Sequence, residues 1–256
     1  MKKQLLIIGM ATMLSASAMA IDVRVTITNM APANGTYLTP TWFGFHDGNF
    51  DSFNVGAAAS MGIERIAEDG NPAVLDGEFI GSGAGTVSGV LNGIGPIGPG
   101  ASTSKIVTIN ENLTSSLYFS WASMIIPSND AFIGNDNARQ HRLFSNAGAF
   151  VGMDFIVLGS QVWDSGTEVN DEIPMNTAFF GQMAPNTGTP ENGVVGFHQG
   201  FNPGGNILSS AMFANANFKT PGYTIARIQV ESVPEPATIS ILGLGVAGYL
   251  ARRKRK

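Results

Sequence analysis

The chain has 256 residues, of which only 13% are charged and 44% hydrophobic. Ordinary soluble domains carry about 25% charge, and this balance excludes a disordered acidic tail, a coiled coil and a basic nucleic-acid binder. Cysteine is absent, which removes disulfides, cysteinyl zinc sites, iron–sulfur clusters and thiol nucleophiles.

The formal net charge of −5 conceals a segregation. Seven of the 14 Lys and Arg residues sit at the two ends, as Lys2, Lys3 and residues 252–256. The other seven face 19 carboxylates, all between Asp22 and Glu235, so the body carries a charge near −12. That acidity repels phosphates and argues against a nucleic-acid partner. It suits an exported protein that meets cations.

In chain order, the first element is an export leader. Lys2 and Lys3 precede an apolar run from Leu5 to Leu14, and Ala18-Met19-Ala20 is a small-x-small cleavage site. Together these read as a signal peptide over residues 1–20, removed during export. The body, residues 21–232, has the length of one all-β domain. Val23, Val25 and Ile27 alternate with Arg24, Thr26 and Thr28, the period-two pattern of a half-buried strand. Similar patterns predict strands over 105–109, 116–126, 153–158 and 223–230. Asn-Gly and Asp-Gly steps punctuate them as turns. One helix is predicted: Ser60 caps it, Ile63, Ile66 and Ala67 form its stripe, and Asp69-Gly70 ends it. Residues 81–100, rich in glycine, are expected to form a surface loop around a short apolar strand.

Three acidic segments are candidate chemistry. In the first, Asp47, Asn49 and Asp51 imitate the start of an EF-hand loop. The sixth position is Ser52 instead of Gly and the twelfth is Ala58 instead of Glu, so an EF-hand is rejected. The second runs from Pro127 to Asp136, after the strongest predicted strand. The third runs from Trp163 to Glu172 after another. Two acidic loops at strand ends can meet at one pole of a sandwich, and calcium takes six to eight oxygens of the kind such loops supply. The alternative is that Asp and Asn only build turns there.

Other chemistry is poorly represented. His46, His141 and His198 are scattered, and neither a G-x-S-x-G elbow nor zinc-type histidine spacing occurs. A carboxylate pair such as Asp164 and Glu168 would serve a glycan hydrolase only inside an aromatic-lined cleft. No catalytic residue is assigned. Two G-x-G-x-x-G matches, at 93–98 and 243–248, lack the strand and helix that a dinucleotide site needs.

The chain ends with Val233-Pro234-Glu235-Pro236, an apolar stretch over 237–251 and five cations. As a helix the stretch rises about 22 Å, short of a hydrocarbon core of about 30 Å. Snorkelling by the flanking cations shortens the deficit, and the basic tail would stay cytoplasmic. The order Pro-Glu-Pro, short transmembrane helix, basic cluster over residues 233–256 resembles the PEP-CTERM sorting signal of Gram-negative bacteria. The resemblance implies recognition by an exosortase-type machinery, cleavage near the signal, and delivery to the cell surface or beyond.

Three segments of the body, in order, resemble the spondin N-terminal domain. They are His46 to Phe53 with the downstream Ala67-Glu68-Asp69-Gly70-Asn71, then Met124 to Phe132, then Trp163 to Glu168. The resemblance implies an all-β fold, an eight-stranded antiparallel β-sandwich of the kind seen in calcium-dependent lipid-binding domains. It also implies a calcium ion at one pole, on residues that map to Asp130, Asp164 and Glu168. The family's animal members usually have Asp at the last site, where this chain has Glu168, one methylene longer. Asn129 is an added polar group beside them. The animal proteins' further adhesion modules are absent here, so their matrix partners do not transfer. The expectation is an exported, non-enzymatic adhesion module bound to extracellular polysaccharide or a surface protein. A structural matrix protein and a carboxylate-type glycan hydrolase are the alternatives.

Overall fold

The computed structural model describes residues 20–110 and 114–234. The predicted signal peptide and the 237–251 membrane helix lie outside the described residues, and β1 begins at Ala20. Among the described residues no helix is long and apolar enough to cross a membrane.

In chain order the strands are β1 (Ala20–Asn29), β2 (Tyr37–Leu38), β3 (Thr41–His46), β4 (Val87–Leu91), β5 (Ser102–Asn110), β6 (Tyr118–Ile126), β7 (Ala131–Gly134), β8 (Met153–Leu158), β9 (Trp163–Asp164), β10 (Gly196–Phe197) and β11 (Thr224–Ser232). The helices are α1 (Met61–Asp69), α2 (Ala73–Ser82) and the single turn α3 (Asn206–Ser209). The strands form two antiparallel sheets. The first has the order β5-β1-β11-β8, and the second β10-β9-β7-β6-β3-β4 with β2 beside β6. The described residues thus hold eleven strands, not the expected eight. Three of them, β2, β9 and β10, are two-residue ladders. Such short pairings follow loops drawn against a sheet edge, and side-chain alternation is too brief there to be read from sequence.

The main core lies between the sheets. Val23, Val25 and Ile27 of β1 meet Phe43 and Phe45 of β3 and Phe119, Trp121 and Ile125 of β6. The residues between them on β1 stay partly exposed, as the period-two pattern predicts. The second sheet is also covered on its outer face. There Trp42, Ala122 and Phe132 pack under Ile63, Ile66 and Ala67 of α1 and Leu75 and Phe79 of α2. Buried on both sides, β6 reads as an almost continuous apolar run.

Helix α1 matches its sequence signals closely. The Ser60 hydroxyl accepts from Ile63 N at 3.2 Å, satisfying one of the amides that a helix start leaves open. Gly70 ends the helix in the left-handed conformation at φ 62°, a geometry that only glycine adopts without strain. Helix α2 was not predicted. It reaches only two residues into the expected 81–100 loop, and β4 is that loop's short apolar strand. The N-cap of α2 is Pro72, and Asn71, one residue earlier, accepts from Ala73 N at 3.0 Å.

Candidate cation-binding pole

The second and third acidic segments do converge. Residues Pro127 to Asp130 join β6 to β7, and Trp163-Asp164 pairs with Ala131-Phe132 as β9 against β7. This pairing sets the 164–172 loop directly over Asp130. One oxygen of Asp130, Oδ2, accepts from Ser165 Oγ at 2.9 Å, Thr167 N at 2.9 Å and Glu168 N at 3.1 Å. The loop wraps the carboxylate with donors, as a backbone anion nest does. The other oxygen, Oδ1, is buried with no partner. Burial pushes the Asp130 carboxyl above the usual range, and the donors oppose that shift.

Asp164 takes its own turn. Its Oδ1 accepts from Gly166 N at 2.8 Å, which holds a turn with Gly166 at φ 69°. Its Oδ2 accepts from Asn170 Nδ2 at 2.7 Å. The Asn170 carbonyl in turn accepts from His198 Nε2, because Gly200 N occupies Nδ1 and leaves the proton on Nε2. Burial, then the neighbouring Asp130 charge, raises Asp164 to about 6.

Glu168 is only 3% exposed. Gly188 N donates to Oε1 at 2.9 Å, while Oε2 is buried without a partner. Burial and the charge of Glu68 raise its carboxyl to about 8. Its foremost acidic neighbour is therefore Glu68 on α1, ahead of Asp130. Asp164 instead feels Asp130 and Glu191. Of the three predicted ligands, Asp130 stands between the other two and interacts with each. Among the described residues no three carboxylate or imidazole groups form a ready metal cage.

Asn129 ties the pole together through Asp171 and the backbone instead of through the three predicted ligands. Its amide donates to Asp171 Oδ1 at 3.2 Å and to Asn176 O at 3.3 Å, and its carbonyl accepts from Glu172 N. Glu172 is as buried as Glu168, yet both its oxygens are satisfied by Asn202 N and Ile207 N. The first acidic segment does not enter this group of hydrogen bonds. Asp47 accepts from Asn49 N in a local turn, and His46 is sealed against Ser120.

Sequence reasoning left out Glu68, Gly188, Asn170 and His198 as site residues. Glu68 was legible in one sense, since it belongs to the Ala67–Asn71 segment of the first motif. Asn170 lies within the third acidic segment, while Gly188 and His198 come from positions whose nearness only the loop packing creates.

The family model described as Spondin_N matches residues 29–172. The PEP-CTERM protein-sorting motif matches residues 232–256. No curated protein matches the chain. The first match spans more than half of the chain and contains Asp130, Asp164, Glu168 and Glu68 alike.

Proposed function

The chain belongs to the Spondin_N family and carries a PEP-CTERM sorting signal, and from that premise we propose a calcium-binding, non-enzymatic adhesion module of the bacterial surface. The sorting motif marks the chain for export, exosortase-type recognition and surface association in bacteria. The finer reading adds a Gram-negative host and attachment to exopolysaccharide or to another surface protein.

One observation carries the calcium reading. Two carboxylate oxygens, Asp130 Oδ1 and Glu168 Oε2, are buried with no hydrogen-bond donor. A buried charged oxygen without a partner costs several kcal/mol, and turn-making alone gives no reason for that burial. A hard dication is the partner such oxygens take. Asp130, Asp164 and Glu168 would hold it. Bound calcium would supply the charge that these raised carboxyls lack and would tie the 164–172 loop to the β6–β7 turn. Asp164 would then exchange its contact with Gly166 or Asn170 for the ion.

The non-enzymatic reading is supported by the cleft beside Glu168, of about 340 Å³, whose lining is small, polar and acidic with no aromatic side chain. All three tryptophans are buried. A sugar platform for glycoside hydrolysis is therefore missing at that carboxylate.

Calcium titration of thermal unfolding tests the reading. At about 100 times its dissociation constant the ion should add roughly 2.7 kcal/mol, and Asp164→Ala should lose that response. Identical melting in chelator and in millimolar calcium would end the metal reading. Saturable, selective retention on an immobilised polysaccharide would separate a binding module from a bulk matrix protein, which would retain none.

A further inference from the structure

Helix α1 brings Glu64 from its first turn and Glu68 from its last to the cleft beside Glu168. Glu64, Glu68 and Asp69 share one cation, Arg65, whose guanidinium reaches all three. The same guanidinium donates to Asn186 Oδ1 at 2.9 Å, on the segment that carries Gly188. Glu68 is 2% exposed. It sits at the C-terminal end of its helix, where the helix dipole disfavours a negative charge. Its further stabilising contacts are Arg65 and the Thr167 side chain. Glu168 enters the same cleft from the opposite wall. Three carboxylates thus meet one guanidinium, and Glu168 lies beside them without sharing it.

Acid density alone is no site. The independent observation is Glu168 Oε2, an oxygen of a 97%-buried side chain with no donor. The wall behind it is shaped to leave that oxygen bare. Gly188 N holds only Oε1, and a Cβ at Gly188 would collide with the carboxylate. Thr167 links the two glutamates to the Asp130 nest, since its hydroxyl lies against both Glu68 and Asp130.

We propose that Glu68 and Glu168 hold a divalent cation of their own, calcium by its preference for carboxylate oxygens, in the cleft between α1 and the 164–172 loop. Arg65 is the internal cation that pairs with Glu68 while the ion is absent. This site goes beyond the Asp130, Asp164 and Glu168 reading. It shares Glu168 with that reading and does not need Asp164. Two carboxylates supply up to four oxygens, and water completes the six to eight that calcium takes. Binding would staple helix α1 to the acidic loop, so that the helical cover of the second sheet and the loop pole respond to calcium together.

Isothermal titration of the full chain with calcium chloride, after dialysis against chelator, tests this with four variants. Glu68→Gln and Glu168→Gln should each weaken calcium binding at least about tenfold or remove one bound ion. Asp164→Asn should retain a binding event that Glu68→Gln removes. If Glu68 serves only as the ion-pair partner of Arg65, Glu68→Gln lowers melting in chelator and leaves the calcium isotherm unchanged, and the proposal fails. Binding lost in Asp164→Asn but intact in Glu68→Gln overturns this site and keeps the other. The reverse pattern keeps this site and overturns the other, and an unresponsive wild type overturns both. Should Glu68→Gln not fold, Gly188→Ala reads the same site from the opposite wall and should lose the same binding event. Unaltered binding in that variant would also overturn the proposal.

Discussion

The two sheets are both antiparallel but treat their outer faces in opposite ways. The β5-β1-β11-β8 sheet leaves its outer face in water. Its carboxylates stay there too, and Asp154, about half-exposed, accepts two hydrogen bonds from Arg227 and one from Gln229. These contacts hold the Asp154 carboxyl below its usual range. The β10-β9-β7-β6-β3-β4 sheet lies under α1 and α2. Carboxylates near it are buried, and their protons are held more tightly. The difference teaches how to read acid in this chain. An exposed carboxylate with an arginine is a solvated surface. A buried one with a bare oxygen is the feature on which the proposed cation sites rest.

The comparison is broken first at the covers themselves. Phe132→Ala empties a fully buried position between the second sheet and its outer cover, and should cost about 3–5 kcal/mol in urea unfolding. Ile106→Ala, half-exposed on β5, should cost less than about 1 kcal/mol. Equal losses would mean that the outer cover adds no second core. Next in size is Asp130→Ala, which strands Ser165 Oγ, Thr167 N and Glu168 N in a buried nest. It should cost about 3 kcal/mol in chelator, measured by the same unfolding.

A smaller effect comes from pH. Burial holds His46, His141 and His198 down to about 4, so their contribution is complete above the ordinary 6.5 and is lost as pH falls towards 4. Glu168 has the opposite sign. Raised to about 8 from an ordinary 4.5, it favours folding below 4.5, and that stability is lost as pH rises through 8. Asp164, raised to about 6, has spent most of its effect by pH 7. Between pH 6.5 and 8 the chelated protein should therefore lose on the order of 1 kcal/mol. Calcium should flatten that slope, as melting scans across the range would measure. A slope that calcium leaves untouched would place the titration elsewhere. The smallest effect belongs to the first sheet. Arg227→Ala opens an exposed pair and should leave both the melting temperature and its calcium response within error of wild type.

Much of the scaffold was readable before any coordinates. The Val23, Val25, Ile27 alternation is local, and so are the Ser60 cap and the Gly70 stop, because strand period and helix caps are set within a few residues. Helix α2 was not readable. Gly77 and Gly81 weaken its propensity, and only Leu75 and Phe79 are buried, too few to make a stripe. Strand count failed for a related reason, since two-residue ladders exist only where another part of the chain lies alongside.

The site divides in the same way. The residue types of the pole were visible in the Pro127–Asp136 and Trp163–Glu172 segments, because carboxylates, amides and glycines in loops have few other uses. Their division of labour was not visible. Glu172 resembles Glu168 in sequence and in burial, yet it is satisfied by Asn202 and Ile207 from distant loops, while Glu168 keeps one oxygen bare. By itself the sequence determined the β architecture, the sorting motif at the C-terminal end and the location of the acid. Only the tertiary structure decided which carboxylates lack a partner, because hydrogen bonds to buried oxygens come from backbone brought in across 20 to 43 positions of chain.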